Sequence, residues 1–219
     1  MKIRSVIFDM DGTLLSTLKI ISEANNEILE KHGFPTHPTE RYKSFVGDGL
    51  RMLLRRALPE NVDEKLLGSM LAEVLDLYHE RGVGTIPPFD GIRETLDALV
   101  QRGVNISILT NKEHKYAVLN AETILGEYKF NPIIGERVGK PLKPAPDGIW
   151  EVCGITGIPR ENTVYAGDMK VDVLTAKNAG VRSAACLWGF GRKEDLKTLG
   201  ADYLIEKPLD LVKLVDETV

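Results

Sequence analysis

Residues Ser5 to Phe8 form a short apolar, β-rich run that stops at Asp9 and passes into a polar turn containing Gly12, which is how a buried strand ends. From Leu18 to Gly82 the period changes. Apolar residues recur at helical spacing, as Ile20, Ile21, Ala24, Ile28 and Leu29, then Leu50, Leu53, Leu54 and Leu58, then Leu66, Leu67, Met70, Leu71, Val74 and Leu75. This block predicts helix throughout and reads as an insertion, closed by the turn-forming stretch Ile86-Pro87-Pro88-Phe89-Asp90-Gly91. Beyond it the two periods alternate. Helix is predicted over Ile92 to Gln101, strand over Val104 to Leu109, helix over Ala117 to Leu125, and a short apolar stretch at Pro132 to Ile134. A helix through Ile149 and Val152, a strand from Thr163 to Ala166, a helix through Val173 and Ala176 and a strand from Ser183 to Leu187 follow. The expected fold class is therefore α/β, a Rossmann-like parallel sheet with helices on both faces, carrying an inserted α-helical unit.

Parallel sheets of this kind place ligands beyond the carboxyl ends of their strands. Four such places carry chemically useful residues: Asp9 to Thr13, Thr110-Asn111, the Lys143-Pro144 loop, and Gly167 to Asp172. Asp9 and Asp11 are two apart, so an extended chain sends both carboxylates to one side. At an effective dielectric of about 20, such a pair at about 4 Å costs on the order of 4 kcal/mol, which a cation or a proton must offset. A metal could join Asp9 to Asp168, and oxygen-rich ligation favours magnesium, while Asp11 could donate a proton to a leaving oxygen. Singly, each residue has an ordinary reading: a tight turn at Asp11-Gly12, a helix N-cap at Thr110 or Asp168, helix-dipole stabilisation at Asp172. Asp172 could also orient a metal-bound water. The hydroxyl of Thr110, with the first amides of a following helix, could hold a phosphoryl oxygen. Lys143 is restrained by Pro141 and Pro144 and suits the screening of Asp9, a role for which Lys140 is a rival.

The bulk properties fit a small substrate. The 219 residues carry 28 Lys and Arg against 32 Asp and Glu, a net charge of −4, so no basic surface for nucleic acid is expected. Hydrophobic residues make up 43%, enough for one large core or a core with a small accessory unit. No stretch reaches the roughly 20 apolar residues of a membrane span, and the N-terminal apolar run is too short for a signal peptide. Cys153 and Cys186 lack metal or redox spacing, which suits a reducing, cytoplasmic setting. His32, His37, His79 and His114 show no zinc-ligand spacing, and there is no Gly-x-Ser-x-Gly elbow.

Taken together, Asp9-Met10-Asp11-Gly12-Thr13-Leu14, Thr110-Asn111, Lys143-Pro144-Ala145-Pro146 and Gly167-Asp168-x-x-x-Asp172 resemble, in the same order, the four motifs of the haloacid dehalogenase superfamily of phosphohydrolases. The resemblance covers essentially the whole chain and favours Lys143 over Lys140. It implies a core of residues 1–15 and 85–219, and a mobile cap of residues 16–84 that closes over the site. It further implies a magnesium ion held by Asp9, Asp11 (through its main-chain carbonyl) and Asp168, with Asp172 nearby, and a catalytic set of Asp9, Asp11, Thr110 and Lys143. Gly12, Thr13 and Asn111 would line the substrate, joined from the cap by Gly47 and by Arg51, whose guanidinium suits a substrate carboxylate. Arg55 and Arg56 read instead as a solvated helix face. Phe45 to Leu50, Leu187 to Gly191 and Gly200 to Tyr203 are similar to segments of phosphoglycolate phosphatases, although Ser16 stands where many relatives are acidic. The implied reaction is hydrolysis of a small phosphorylated metabolite through an aspartyl phosphate on Asp9, by a monomer or homodimer. A sugar-phosphate mutase or a pyrophosphatase of the same superfamily is an alternative; a non-catalytic phosphate-binding protein is another.

Overall fold

A computed structural model describes residues 2–217 of the chain. One six-stranded sheet runs β3-β2-β1-β4-β5-β6, all parallel, built from β1 (Ser5–Phe8), β2 (Asn105–Glu113), β3 (Ile133–Glu136), β4 (Thr163–Gly167), β5 (Arg182–Cys186) and β6 (Tyr203–Ile205). The helices are α1 (Leu18–Lys31), α2 (Gly49–Ala57), α3 (Glu64–Gly82), α4 (Ile92–Gln101), α5 (His114–Ile124), α6 (Asp147–Thr156), α7 (Lys170–Ala179), α8 (Lys193–Thr198) and α9 (Asp210–Glu217).

Strand alternation divides the apolar residues between two layers. Val6 and Phe8 of β1, Ile106 and Ile108 of β2, and Val164 and Ala166 of β4 join the side chains of α4, α5 and α9 on one face. Ile7, Leu109 and Tyr165 point the other way, into the layer made by Ile149 and Val152 of α6 and Ala176 and Ala179 of α7. Both faces are covered, as a parallel sheet requires.

Residues 18–82 hold α1, α2 and α3 joined by loops, with α1 packed on α3 and a 3-10 turn at Thr39–Ser44. Tyr42 in that turn is fully buried, its hydroxyl donating to Asn26 Oδ1 at 2.7 Å, within edge-to-face contacts to His37 and Phe45. Asp63 caps α3 by accepting from the amides of Lys65 and Leu66 at 2.9 and 3.0 Å. The chain leaves the sheet and returns to it at one place. Ser16 N donates to Pro87 O at 3.0 Å and Phe89 N to Leu14 O at 3.1 Å, with Leu15 bridged to Pro88, so the outgoing and incoming segments form one short ribbon. The buried core is continuous from the sheet through Leu14, Leu15 and Leu18 into the helices at Ile21 and Tyr78.

The predicted elements are present, with shifted ends. β2 extends four residues past Leu109 because Glu113 pairs with Glu136 of β3 beyond a register shift. Beyond Leu187, where periodicity assigns no element, the structure adds α8, β6 and α9. Among the described residues, no helix is long and apolar enough to cross a membrane.

Candidate active site

The strand order reverses between β1 and β4, so their adjacent carboxyl ends open a crevice. Asp9 follows β1 and Asp168 follows β4; Asp172 lies on the first turn of α7. Oxygens of these three carboxylates lie within 4.8 Å of one another, and all three residues are buried.

Such a cluster is unfavourable unless positive charge faces it. Lys143 supplies part of that charge. Its Nζ lies 2.7 Å from Asp172 Oδ1, 3.0 Å from Asp9 Oδ1 and 2.9 Å from the Tyr165 hydroxyl. Those neighbours outweigh burial and hold the Lys143 ammonium firmly protonated. Burial still pushes the Asp9 carboxyl up to about 6, against the pull of Lys143 and with Asp172 and Asp11 adding repulsion. Asp168 is raised well above the carboxylate range by burial and then by Asp172 and Asp9. Asp9 Oδ1 lies 3.0 Å from the Lys143 ammonium and has no other partner among the described residues. Three buried carboxylates with a single ammonium beside them offer the hard-oxygen donors that fit a divalent cation.

The backbone around Asp168 is arranged for contact. Its Oδ1 accepts from Thr13 Oγ1 at 2.8 Å and its Oδ2 from Phe190 N at 2.8 Å. Gly12 has φ +88°, and a Cβ there would overlap the Asp168 carboxylate. A Cβ on Gly189 would overlap Asp168 and Gly12, which gives the Leu187 to Gly191 loop its need for glycine. Trp188 Nε1 donates to Thr13 O at 3.0 Å and closes this side.

Asp9, Asp11, Thr110, Asn111 and Lys143 line a cavity of about 630 Å³ between the sheet and the helical insertion, with Gly47, Arg51, Leu71, Tyr78 and His79 on the opposite wall. Gly12 and Thr13 do not line it: Thr13 is fully buried with its hydroxyl on Asp168, so both act beneath the cavity floor. Asn111 accepts from Lys143 N at 2.9 Å and donates to Gly47 O at 3.1 Å. Arg51 reaches the cavity but is ion-paired with Glu64, which Arg55 also contacts. Arg55 and Arg56 are not merely solvated, since they donate to Val62 O at 2.7 Å and Phe45 O at 2.8 Å and bind turns of the insertion together.

Other details also differ from sequence reasoning. Thr110 is no N-cap, because β2 runs on to Glu113 and α5 starts only at His114; the amides after Thr110 are those of an irregular strand. Nor does Asp168 cap a helix: Met169 is the N-cap of α7, and Asp172 Oδ2 accepts from its amide at 2.8 Å. Lys112 and Tyr165 escaped notice. Tyr165 reads as a core strand residue, yet its hydroxyl lies 3.0 Å from Asp172 Oδ1 and 2.9 Å from Leu109 O, one of which takes its proton. Lys112 is two beyond Thr110, the spacing that placed Asp11 beside Asp9, and its Nζ lies 3.2 Å from both Asp11 oxygens.

Residues 6–186 match the family described as haloacid dehalogenase-like hydrolase. Over 220 aligned residues the chain is 32% identical to phosphoglycolate phosphatase 1 of Pseudomonas aeruginosa, covering 98% of this chain and 80% of that one. It is 27% identical to the N-acetylmuramic acid 6-phosphate phosphatase of the same organism, covering 100% and 97%. A crystal structure from Lactobacillus delbrueckii subsp. bulgaricus, assigned provisionally to phosphoglycolate phosphatase, superposes with a TM-score of 0.92 at 28% identity over 98% and 99% of the two chains. With the motifs in order, the sheet that positions them and a family match spanning most of its length, the chain belongs to the haloacid dehalogenase-like hydrolases.

Proposed function

We propose that this protein is a magnesium-dependent phosphatase acting on phosphoglycolate or a similar small phosphomonoester through an aspartyl phosphate on Asp9. The observation that carries the reading is the buried carboxylate triad of Asp9, Asp168 and Asp172, with Lys143 beside it, beneath a cavity that Asp9 lines. The identity to phosphoglycolate phosphatase 1 supports the substrate class. In this reading residues 1–15 and 85–219 form the core and residues 16–84 a cap that shields the site from water.

Asp9, Asp168 and the main-chain carbonyl of Asp11 would hold the ion, with Asp172 behind them; when bound, it neutralises charge on the transferring phosphoryl group. Asp9 attacks phosphorus in line, and the phosphorus–oxygen bond to the leaving group breaks as Asp11 gives that oxygen its proton. Asp11, now a base, takes a proton from water as its oxygen attacks the aspartyl phosphate, freeing Asp9 and inorganic phosphate. Lys143 and the Thr110 hydroxyl face the phosphoryl oxygens, and the two anchors of Lys143 on Asp172 and Tyr165 fix its ammonium beside Asp9.

The test is a panel of phosphorylated metabolites ranked by kcat/KM with magnesium and with chelator. Turnover that needs the ion and vanishes in Asp9→Asn is expected; hydrolysis untouched by either change would end the proposal.

A further inference from the structure

The helical insertion gives the cavity an apolar wall. Ile21 of α1 and Leu53 of α2 are buried in it, and Leu71 and Leu75, one turn apart on the same face of α3, stand half-buried beside them. Five Lys and Arg side chains also line the cavity, and each already faces a carboxylate. Lys143 stands between Asp9 and Asp172, and Lys112 lies 3.2 Å from Asp11. Arg137 makes a two-pronged pair with Glu151, at 2.8 and 2.7 Å. Arg51 pairs with Glu64 and Lys115 with Glu113, and both of these cations are more than half exposed, at the rim.

A phosphomonoester brings two parts with opposite needs into this space. The phosphoryl group is drawn to Lys143, while the alcohol part must lie against whatever else lines the cavity. A carboxylate among Ile21, Leu53, Leu71 and Leu75 would lose its water and meet no free cation, the unfavourable arrangement for a buried charge. An alkyl group there would instead remove apolar surface from water on both sides of the contact. Room is sufficient, since about 630 Å³ falls within the roughly 300–1,000 Å³ of pockets that enclose drug-sized ligands, well beyond what a two-carbon acid ester fills. We infer, on the phosphatase reading of the site, that the alcohol part of the substrate is uncharged, aliphatic and several carbons long, and that it seats against Leu71 and Leu75. That narrows the ester to one of a neutral alcohol rather than of glycolate.

The test is a series of ethyl, butyl and hexyl phosphate beside phosphoglycolate, with magnesium present and kcat and KM read separately. Leaving-group basicity barely changes along the alkyl series, so the chemical step is held constant while the buried area grows. From ethyl to butyl phosphate kcat/KM is expected to rise roughly 5–15-fold, the effect of burying two methylenes. The rise should come chiefly from a lower KM, since an apolar wall grips ground state and transition state alike. Butyl phosphate should also be the better substrate than phosphoglycolate. Leu75→Gln puts an amide in the wall and should cut the rise to about threefold or less, with Leu71→Gln in its place if that variant does not fold. A kcat/KM level along the series, a rise confined to kcat or undiminished in a folded leucine variant, or a preference for phosphoglycolate would overturn the aliphatic seat and leave the phosphatase standing. Hydrolysis of none of the four esters, with or without magnesium, would instead overturn the phosphatase reading, so the two failures are distinct.

Discussion

Asp9 shows how much one side chain depends on its surroundings: burial raises its pKa to about 6 while Lys143 holds it charged. If this carboxylate carries the phosphoryl group, two successive in-line displacements leave the configuration at phosphorus unchanged. Hydrolysis of a chiral phosphate ester is therefore expected to proceed with retention, and inversion, read by phosphorus NMR, would mean direct attack by water. Gly12 makes a structural prediction. Ala at this position must adopt φ near +88° and overlap Asp168, so Gly12→Ala should destabilise the fold by at least about 1–3 kcal/mol, measured as a lower urea midpoint. Asp9, Asp11 and Asp168 were legible as candidates because they follow strand ends beside turn residues, whereas only the motif resemblance favoured Lys143 over Lys140. Tyr165 was not, since a tyrosine within an apolar strand looks like core until its hydroxyl partners are seen. Lys112 was readable in principle from its spacing to Thr110, but most lysines with that spacing face solvent.

At the scale of elements, α3 brings Tyr78 and His79 against α5 and the end of β2. The His79 ring stacks on Tyr116, and its two nitrogens have no partner among the described residues. Burial, then the positive charges of Lys112 and Lys115, hold the imidazole down at about 4, below its ordinary 6.5. Between those values the unfolded chain binds a proton that the folded chain refuses. The stability due to neutral His79 is therefore complete above pH 6.5 and lost as pH falls toward 4. In His79→Gln this component should vanish, so the difference in urea midpoint between wild type and variant must change across that range; a constant difference would refute it. At the other end of α3, Asp63→Ala should cost about 1 kcal/mol through the lost N-cap, seen in the melting temperature. Long elements were legible from their period alone. β6 and α8 were not, because three and six residues are too few to show one, and the end of β2 was set by a partner strand rather than by its own residues.

For the whole molecule, an ion held by the three buried carboxylates would couple its binding to folding, because only the folded chain gathers them. With magnesium at 100 times its dissociation constant, the folded state should gain about 2.7 kcal/mol, which for a chain of this size raises the melting temperature by roughly 5–10 °C. Calorimetry with and without chelator measures it, and Asp168→Asn should abolish most of the shift. The ribbon at Leu15 and Pro88 bears on something else. Since the two ends of the helical block lie side by side and are bonded to each other, a change in the length of that block need not move the points where the chain leaves and rejoins the sheet. A longer or shorter loop within it would leave the strand ends, and the carboxylates that follow them, in place.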